Sequence, residues 1–229
     1  PSITKLNYVI AAVFTAKDTL LMDATEANAP YYLLPMRALN LQGQYMDKQG
    51  TQWMPLAAKK KDKQMIMLNL SIEEDQTLKG KLSYSKGDYA ALDFRNKYED
   101  FNSDDEFIAD FKAGKKGLKV ISHKVENLDS LYKPIVEEFE VQFNNQVNEI
   151  DGEYIIQPLL YLQMSENPFK VTDRKYPIDF GYAQEKTIIA NYMLPAGYTV
   201  VNMPSDIAMK LPGNAAAFSC KSSVTEGKI

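Results

Sequence analysis

The sequence predicts a mainly β chain with a smaller helical part, an α+β fold in which a β-sandwich-like domain carries a two-helix insertion. Short β-prone runs recur along most of the chain, separated by Pro, Gly and Asn turns at about 8–12-residue intervals, the pattern of a sandwich. Helical spacing is confined to one stretch, residues 87–114. With 45% of its 229 residues apolar, the chain can bury a sizeable core, as one large domain or two smaller ones.

The elements follow in order. Tyr8 to Phe14 is an almost unbroken apolar run and Thr19 to Met22 a second, with the polar break Thr15-Ala16-Lys17-Asp18 between them. Two β-prone runs about a short polar turn predict a hairpin buried on at least one face. Asp23 leaves the second strand, where a carboxylate is most often a turn former bonding nearby backbone. Residues 26–58 contain Pro30, Pro35 and Pro55 and read as an irregular arm over the hairpin, with Trp53 as its packing anchor. The run Lys59-Lys60-Lys61 reads as a solvated linker rather than a polyanion site and places a domain boundary near residues 58–64.

From Gln64 the pattern alternates. Met65–Ile72 and Thr77–Ser85 form a hairpin with one wet face, and Gly87-Asp88 open a helix over about 88–101 with Ala91, Leu92, Arg95 and Tyr98 at helical spacing. Ser103 and Glu106 form a capping box for a second helix, about 103–113, with Phe107, Ile108 and Phe111 inward and Gly114 as its stop. Strands are expected at Leu118–Val125 and at Ile135–Phe143, where imperfect parity calls for a bulge. Glu153–Met164 is a further strand in which Pro158 demands an edge, a bulge or a break. Others follow at Lys186–Leu194, Tyr198–Val201, Ile207–Lys210 and Ala216–Val224.

Charge and cysteine content narrow the functions. Lys and Arg number 26 against 30 Asp and Glu, a net charge of −4 with no basic field for nucleic acid. No apolar run reaches the roughly 18 residues of a transmembrane span. The single cysteine, Cys220, precludes an intramolecular disulfide. His123, the only histidine, lies on an expected strand and reads as an exposed strand residue, because a zinc site needs partners this sequence does not offer. No cofactor and no metal are implied.

The stretch Leu6–Thr25, a strand, a turn and a second strand ending Leu21-Met22-Asp23-Ala24-Thr25, resembles the end of the catalytic core of transglutaminase-like (papain-like cysteine) enzymes. The run Ala29-Pro30-Tyr31-Tyr32-Leu33-Leu34-Pro35-Met36-Arg37, with Leu39-Asn40-Leu41-Gln42-Gly43, resembles more narrowly a secreted bacterial subfamily flanked by domains of unknown function. Asn167-Pro168-Phe169 and Arg174-Lys175-Tyr176-Pro177-Ile178-Asp179 resemble the β-rich domain that follows the core in that subfamily. The resemblance implies that residues 1–58 are the terminal hairpin and arm of such a core. Residues 59–229 would be an accessory β-sandwich-like domain, and the chain a piece of a longer protein, cut within that domain at its C-terminal end.

The resemblance also assigns roles. Asp23 takes the place of the triad Asp that orients a His, which in turn activates a Cys nucleophile. Where that His is expected, the chain has Tyr8, a phenol with pKa near 10 and a poor proton acceptor at neutral pH. The nucleophile would lie upstream, and Cys220 comes in the wrong order. As an enzyme this chain alone is therefore expected to be inactive.

The first expectation for function is a non-catalytic accessory scaffold packed on the upstream transglutaminase-like core of the same protein, in the periplasm or otherwise extracytoplasmic. The alternative is a module binding a peptide or cell-envelope glycan through Tyr31, Tyr32, Tyr176 and Tyr182. A third expectation is part of an active amide-bond enzyme with an upstream Cys. Asp173, Arg174 and Asp179 read as a structural ion-pair cluster holding a loop rather than as a catalytic group.

Overall fold

The computed structural model describes residues 8–229 apart from Lys17, Ser165, Pro168, Thr172, Arg174, Pro177 and Glu226. The fold is mainly β with two α-helices among the described residues. The first hairpin pairs β1 (Ala11–Phe14) with β2 (Thr19–Met22) in antiparallel register, Ala11 opposite Met22. Its turn closes through Thr15 N–H donating to the Asp18 carbonyl at 2.9 Å and Asp18 N–H donating to Thr15 Oγ1 at 3.0 Å.

The arm is more regular than its prolines suggest. β3 (Leu41–Asp47) and β4 (Gly50–Leu56) form a second hairpin, in which Asp47 Oδ1 accepts the Gln49 N–H at 2.7 Å within the turn. Pro55 fits because a two-stranded ribbon leaves each strand one open edge, where a missing N–H costs nothing. Trp53 is 63% exposed on this ribbon, so it is not the anchor expected of it. Arm packing rests instead on Leu33, Tyr89 and Leu92, with Tyr89 Oη donating to the Leu34 carbonyl at 2.9 Å.

The main sheet has five strands in the order β11-β5-β6-β8-β7. These are β5 (Asp62–Ile72), β6 (Leu78–Asp88), β7 (Leu118–Glu126), β8 (Ile135–Phe143) and β11 (Gln184–Met193), with β11 parallel to β5 and the other neighbours antiparallel. Alternation puts Ile66, Leu68, Leu70 and Ile72 of β5 and Ile135, Phe139, Val141 and Phe143 of β8 into one core. That apolar face is covered by α1 (Tyr89–Glu99) and α2 (Asp104–Lys112), which pack on β5, β6 and β7 through Ala91, Phe94 and Phe107. The two helices thus form a layer on this sheet.

A cap fixes α2 locally. Ser103 Oγ accepts the Glu106 N–H at 3.2 Å, while Glu106 Oε2 reaches back to the Asn102 N–H at 2.9 Å, one residue before the partner a capping box uses. The expected bulge lies on β7, between Val120 and Ser122, and not on β8. β8 keeps perfect parity from Ile135, and the residue that disguised it is Glu137, a carboxylate on the core face.

Two later expectations are shortened. β10 (Glu153–Ile156), paired with β9 (Val147–Ile150), stops before Pro158, and the chain makes a 3-10 turn at Leu160–Leu162. Residues 198–201 form no strand, and Tyr198 stacks on Tyr154 with ring centres 4.8 Å apart. β12 (Ile207–Lys210) and β13 (Ala217–Cys220) close a terminal hairpin.

Candidate functional site

The β1–β2 hairpin places Tyr8, just before β1, beside Asp23, just after β2. The Tyr8 hydroxyl donates to Asp23 Oδ2 in a short hydrogen bond and lies 2.8 Å from Thr25 Oγ1. Asp23 also receives the Thr25 N–H at 2.9 Å and the Thr25 hydroxyl at 2.8 Å, both on Oδ1. A third segment completes the cluster: Arg37, in the 3-10 turn Met36–Ala38, donates from Nε to Tyr8 Oη at 2.8 Å. Its terminal nitrogens reach Glu26 Oε2 at 2.8 Å, Thr25 Oγ1 at 2.9 Å and Asp23 Oδ2 at 3.3 Å.

Asp23 is the buried member, its side chain 1% exposed. Desolvation pulls its pKa up, but the hydrogen bonds from Tyr8 and Thr25 and the Arg37 charge outweigh it, and the carboxyl is held below its ordinary value. Arg37 is held above its own ordinary value, first by Glu26 and then by Tyr8. The product is an ionised carboxylate with both oxygens occupied and a phenol that already donates to Asp23 and accepts from Arg37. Tyr8 Oη thus makes three polar contacts, to Asp23, Arg37 and Thr25, where a general base keeps a lone pair for a substrate proton. The cluster ties hairpin to arm.

The remaining sequence candidates are dispersed. Tyr31 is 52% exposed and meets Tyr32 edge-on at 5.5 Å, and both join Tyr132 at 6.0 and 6.3 Å, with Lys60 Nζ 5.2 Å from the Tyr32 ring centre. Tyr182 instead stacks flat on Tyr89, centres 3.8 Å apart, and donates to Asp93 Oδ2 at 3.1 Å. Tyr176 is exposed and Cys220 lies exposed on β13. Asp179 accepts the Gly181 N–H at 2.8 Å, a turn-forming role, whereas Arg174, the expected partner of Asp173, lies outside the described residues.

His123 is not an exposed strand residue. Its side chain is fully buried, its ring stacked on Phe139 at 4.3 Å and on Phe107 at 5.1 Å. Nδ1 sits 2.6 Å from Asp104 Oδ1, which also accepts the Tyr98 hydroxyl at 3.0 Å. Because a carboxylate only accepts, Nδ1 is the protonated nitrogen of this pair. Among the described residues Nε2 has no hydrogen-bond partner, and it faces Glu137 Oε1 at 3.7 Å. The other oxygen of Glu137 is in contact with Lys86 Nζ.

The last third of the chain has a counterpart among known families. Residues 152–229 match a family model described as a domain of unknown function with a solved structure, DUF3858. No curated protein and no solved structure matches the chain. The matched part contains β10 to β13, of which β11 is an edge of the main sheet, so this segment is joined to the preceding one by the ladder from Gln184↔Asp62 to Met193↔Ser71.

Nothing local in the sequence marks Lys86 or Glu137 as a site residue, and Arg95 is marked only as a helix position. Arg95 is a buried guanidinium in α1 that donates to the carbonyls of Leu128, Asn127, Ser130 and Lys133 at 2.8–3.1 Å. It fixes the loop that carries Tyr132. Helical spacing marked its position, but nothing local names four backbone acceptors more than thirty residues away.

Proposed function

We propose that this chain is a non-catalytic, accessory part of a transglutaminase-like protein, in which the end of the core keeps its frame without its proton-transfer chemistry. The observation that carries the reading is the hydrogen-bonded Tyr8–Asp23–Arg37 cluster: where the resemblance expects an imidazole oriented by Asp23, a phenol is held between an acid and a guanidinium. Asp23 keeps the orienting role and Tyr8 turns it to structure. The resemblance also carries the proposal of export to the periplasm or another extracytoplasmic space. Hydrolysis and amine transfer on glutamine-containing peptides, measured on the longest soluble form that includes this chain, test the reading. It predicts no turnover that depends on Asp23, and turnover abolished by Asp23→Asn in a still-folded protein would overturn it.

A second reading is favoured by one specific observation, the half-exposed group of Tyr31, Tyr32 and Tyr132 with Lys60 over one ring. Converging aromatic faces anchored on a fixed loop suit a sugar ring or a peptide side chain. Titration with soluble cell-wall oligosaccharides, followed by tyrosine fluorescence, tests it. Tyr132→Ala should weaken binding about tenfold, the loss of one stacking contact worth roughly 1.4 kcal/mol.

A further inference from the structure

The strongest unexplained feature of the molecule is the buried chain Lys86–Glu137–His123–Asp104, which crosses from β6 over β8 and β7 to α2. Register explains the meeting: Tyr84 stands opposite Glu137, Lys86 opposite Ile135, and His123 opposite Phe139, so all these side chains emerge on the core face of adjacent strands. The Lys86 ammonium lies 3.9 Å from the Phe94 ring centre and 4.9 Å from that of Tyr84, with its nitrogen against Glu137 Oε2. A buried ion pair of this kind carries a heavy desolvation cost, which a neutral product would remove. Water is largely excluded, and amine and carboxyl are held in contact by a rigid ladder, the condition for a high effective concentration.

We propose that Lys86 and Glu137 condense to an intramolecular amide, an isopeptide crosslink between β6 and β8. The Lys86 ammonium first passes a proton to the Glu137 oxygen it touches, Oε2, giving an amine and a carboxylic acid. The Nζ lone pair then forms a bond to Cδ. The negative charge of the tetrahedral stage falls on Oε1, the oxygen facing the His123 ring at 3.7 Å, which Asp104 holds in place through Nδ1. The Cδ–Oε2 bond breaks with its electron pair, Oε2 takes a second proton from Nζ, and one water leaves. Lysine and glutamate give one amide and one water, with no oxidant, cofactor or further reactant.

Two features support the step. Burial, with a smaller push from Lys97, lowers Lys86 to about 7, so the nucleophilic amine is accessible near neutral pH. The bond would also close a loop containing α1, α2 and β7, restricting the unfolded chain as a disulfide would.

Intact-mass spectrometry of the folded, purified chain, repeated during incubation until the mass is constant, tests the proposal. The expected result is a mass lower than the sequence mass by one water, with a branched peptide joining the Lys86 and Glu137 segments after digestion. An unchanged mass, or a water loss mapping to another pair, overturns it. Lys86→Met should show no water loss. His123→Gln should slow the approach to the final mass while leaving the same branched peptide, and an unaltered rate would remove His123 from the step.

Discussion

Arg95→Met removes a buried guanidinium while keeping an unbranched apolar stem of similar length, and its cost can be worked from the contacts. Nε donates to the Leu128 carbonyl, and one terminal nitrogen is shared among the carbonyls of Asn127, Ser130 and Lys133. That nitrogen has two hydrogens, so three donated hydrogens, not four, are lost. At about 1.5–3 kcal/mol for each charge-assisted bond the gross loss is roughly 5–9 kcal/mol. Against it stand the relief of desolvating a buried cation and the rehydration of loop carbonyls once residues 127–133 open. The net destabilisation should be about 3 kcal/mol. With a slope of about 2 kcal/mol/M, the urea midpoint falls by about 1.5 M. Arg95→Lys, a point donor in place of a fork, should recover less than half of this. A midpoint within about 0.3 M of wild type for Arg95→Met would refute the view that this guanidinium holds the loop.

Other consequences are open to direct measurement. Gly80 has φ +149° and a Cβ there would lie 2.1 Å from the Asn69 carbonyl oxygen, so Gly80→Ala should cost about 3 kcal/mol or prevent folding, read by urea unfolding. Leu68→Ala in the core should cost about 2–5 kcal/mol, whereas Trp53→Ala on the exposed ribbon should stay within about 0.5 kcal/mol. Asp23 has a lowered folded pKa, so the unfolded state binds the proton more tightly. Its contribution to stability is full above the unfolded value near 3.9 and is lost as pH falls through the folded value. Asp23→Asn should therefore flatten stability against pH below about 5, as measured by denaturant midpoints, and an unchanged acid limb would show that the cluster does not favour the carboxylate.

Much of the main sheet was readable because local signals and tertiary burial agree there. Ile66, Leu68, Leu70 and Ile72 alternate, and their hairpin partner begins after the polar turn at residues 73–77. Ser103 and Glu106 announced α2 through a cap that needs no distant partner. Misreadings occurred where a distant group changes the meaning of a local one. Glu137 looked like a break in parity because sequence does not show Lys86 coming to meet it. His123 looked exposed between Ser122 and Lys124, yet Phe107 and Phe139 enclose its ring. β3 and β4 were hidden by Pro55, harmless on a ribbon with open edges. At the candidate site, Tyr8 and Asp23 were visible as strand-end residues and are brought together by the hairpin, but Arg37 joins them only through the course of the arm.

The central proposal, a transglutaminase-like frame without its chemistry, is tested most directly by amine transfer to a glutamine peptide. The longest soluble form containing the chain would be compared with its Asp23→Asn variant, both checked for folding by circular dichroism. The account predicts no turnover above the no-protein control for either form. Turnover by the parent form that disappears in folded Asp23→Asn would contradict it, and would make the Tyr8–Asp23–Arg37 cluster part of a working site.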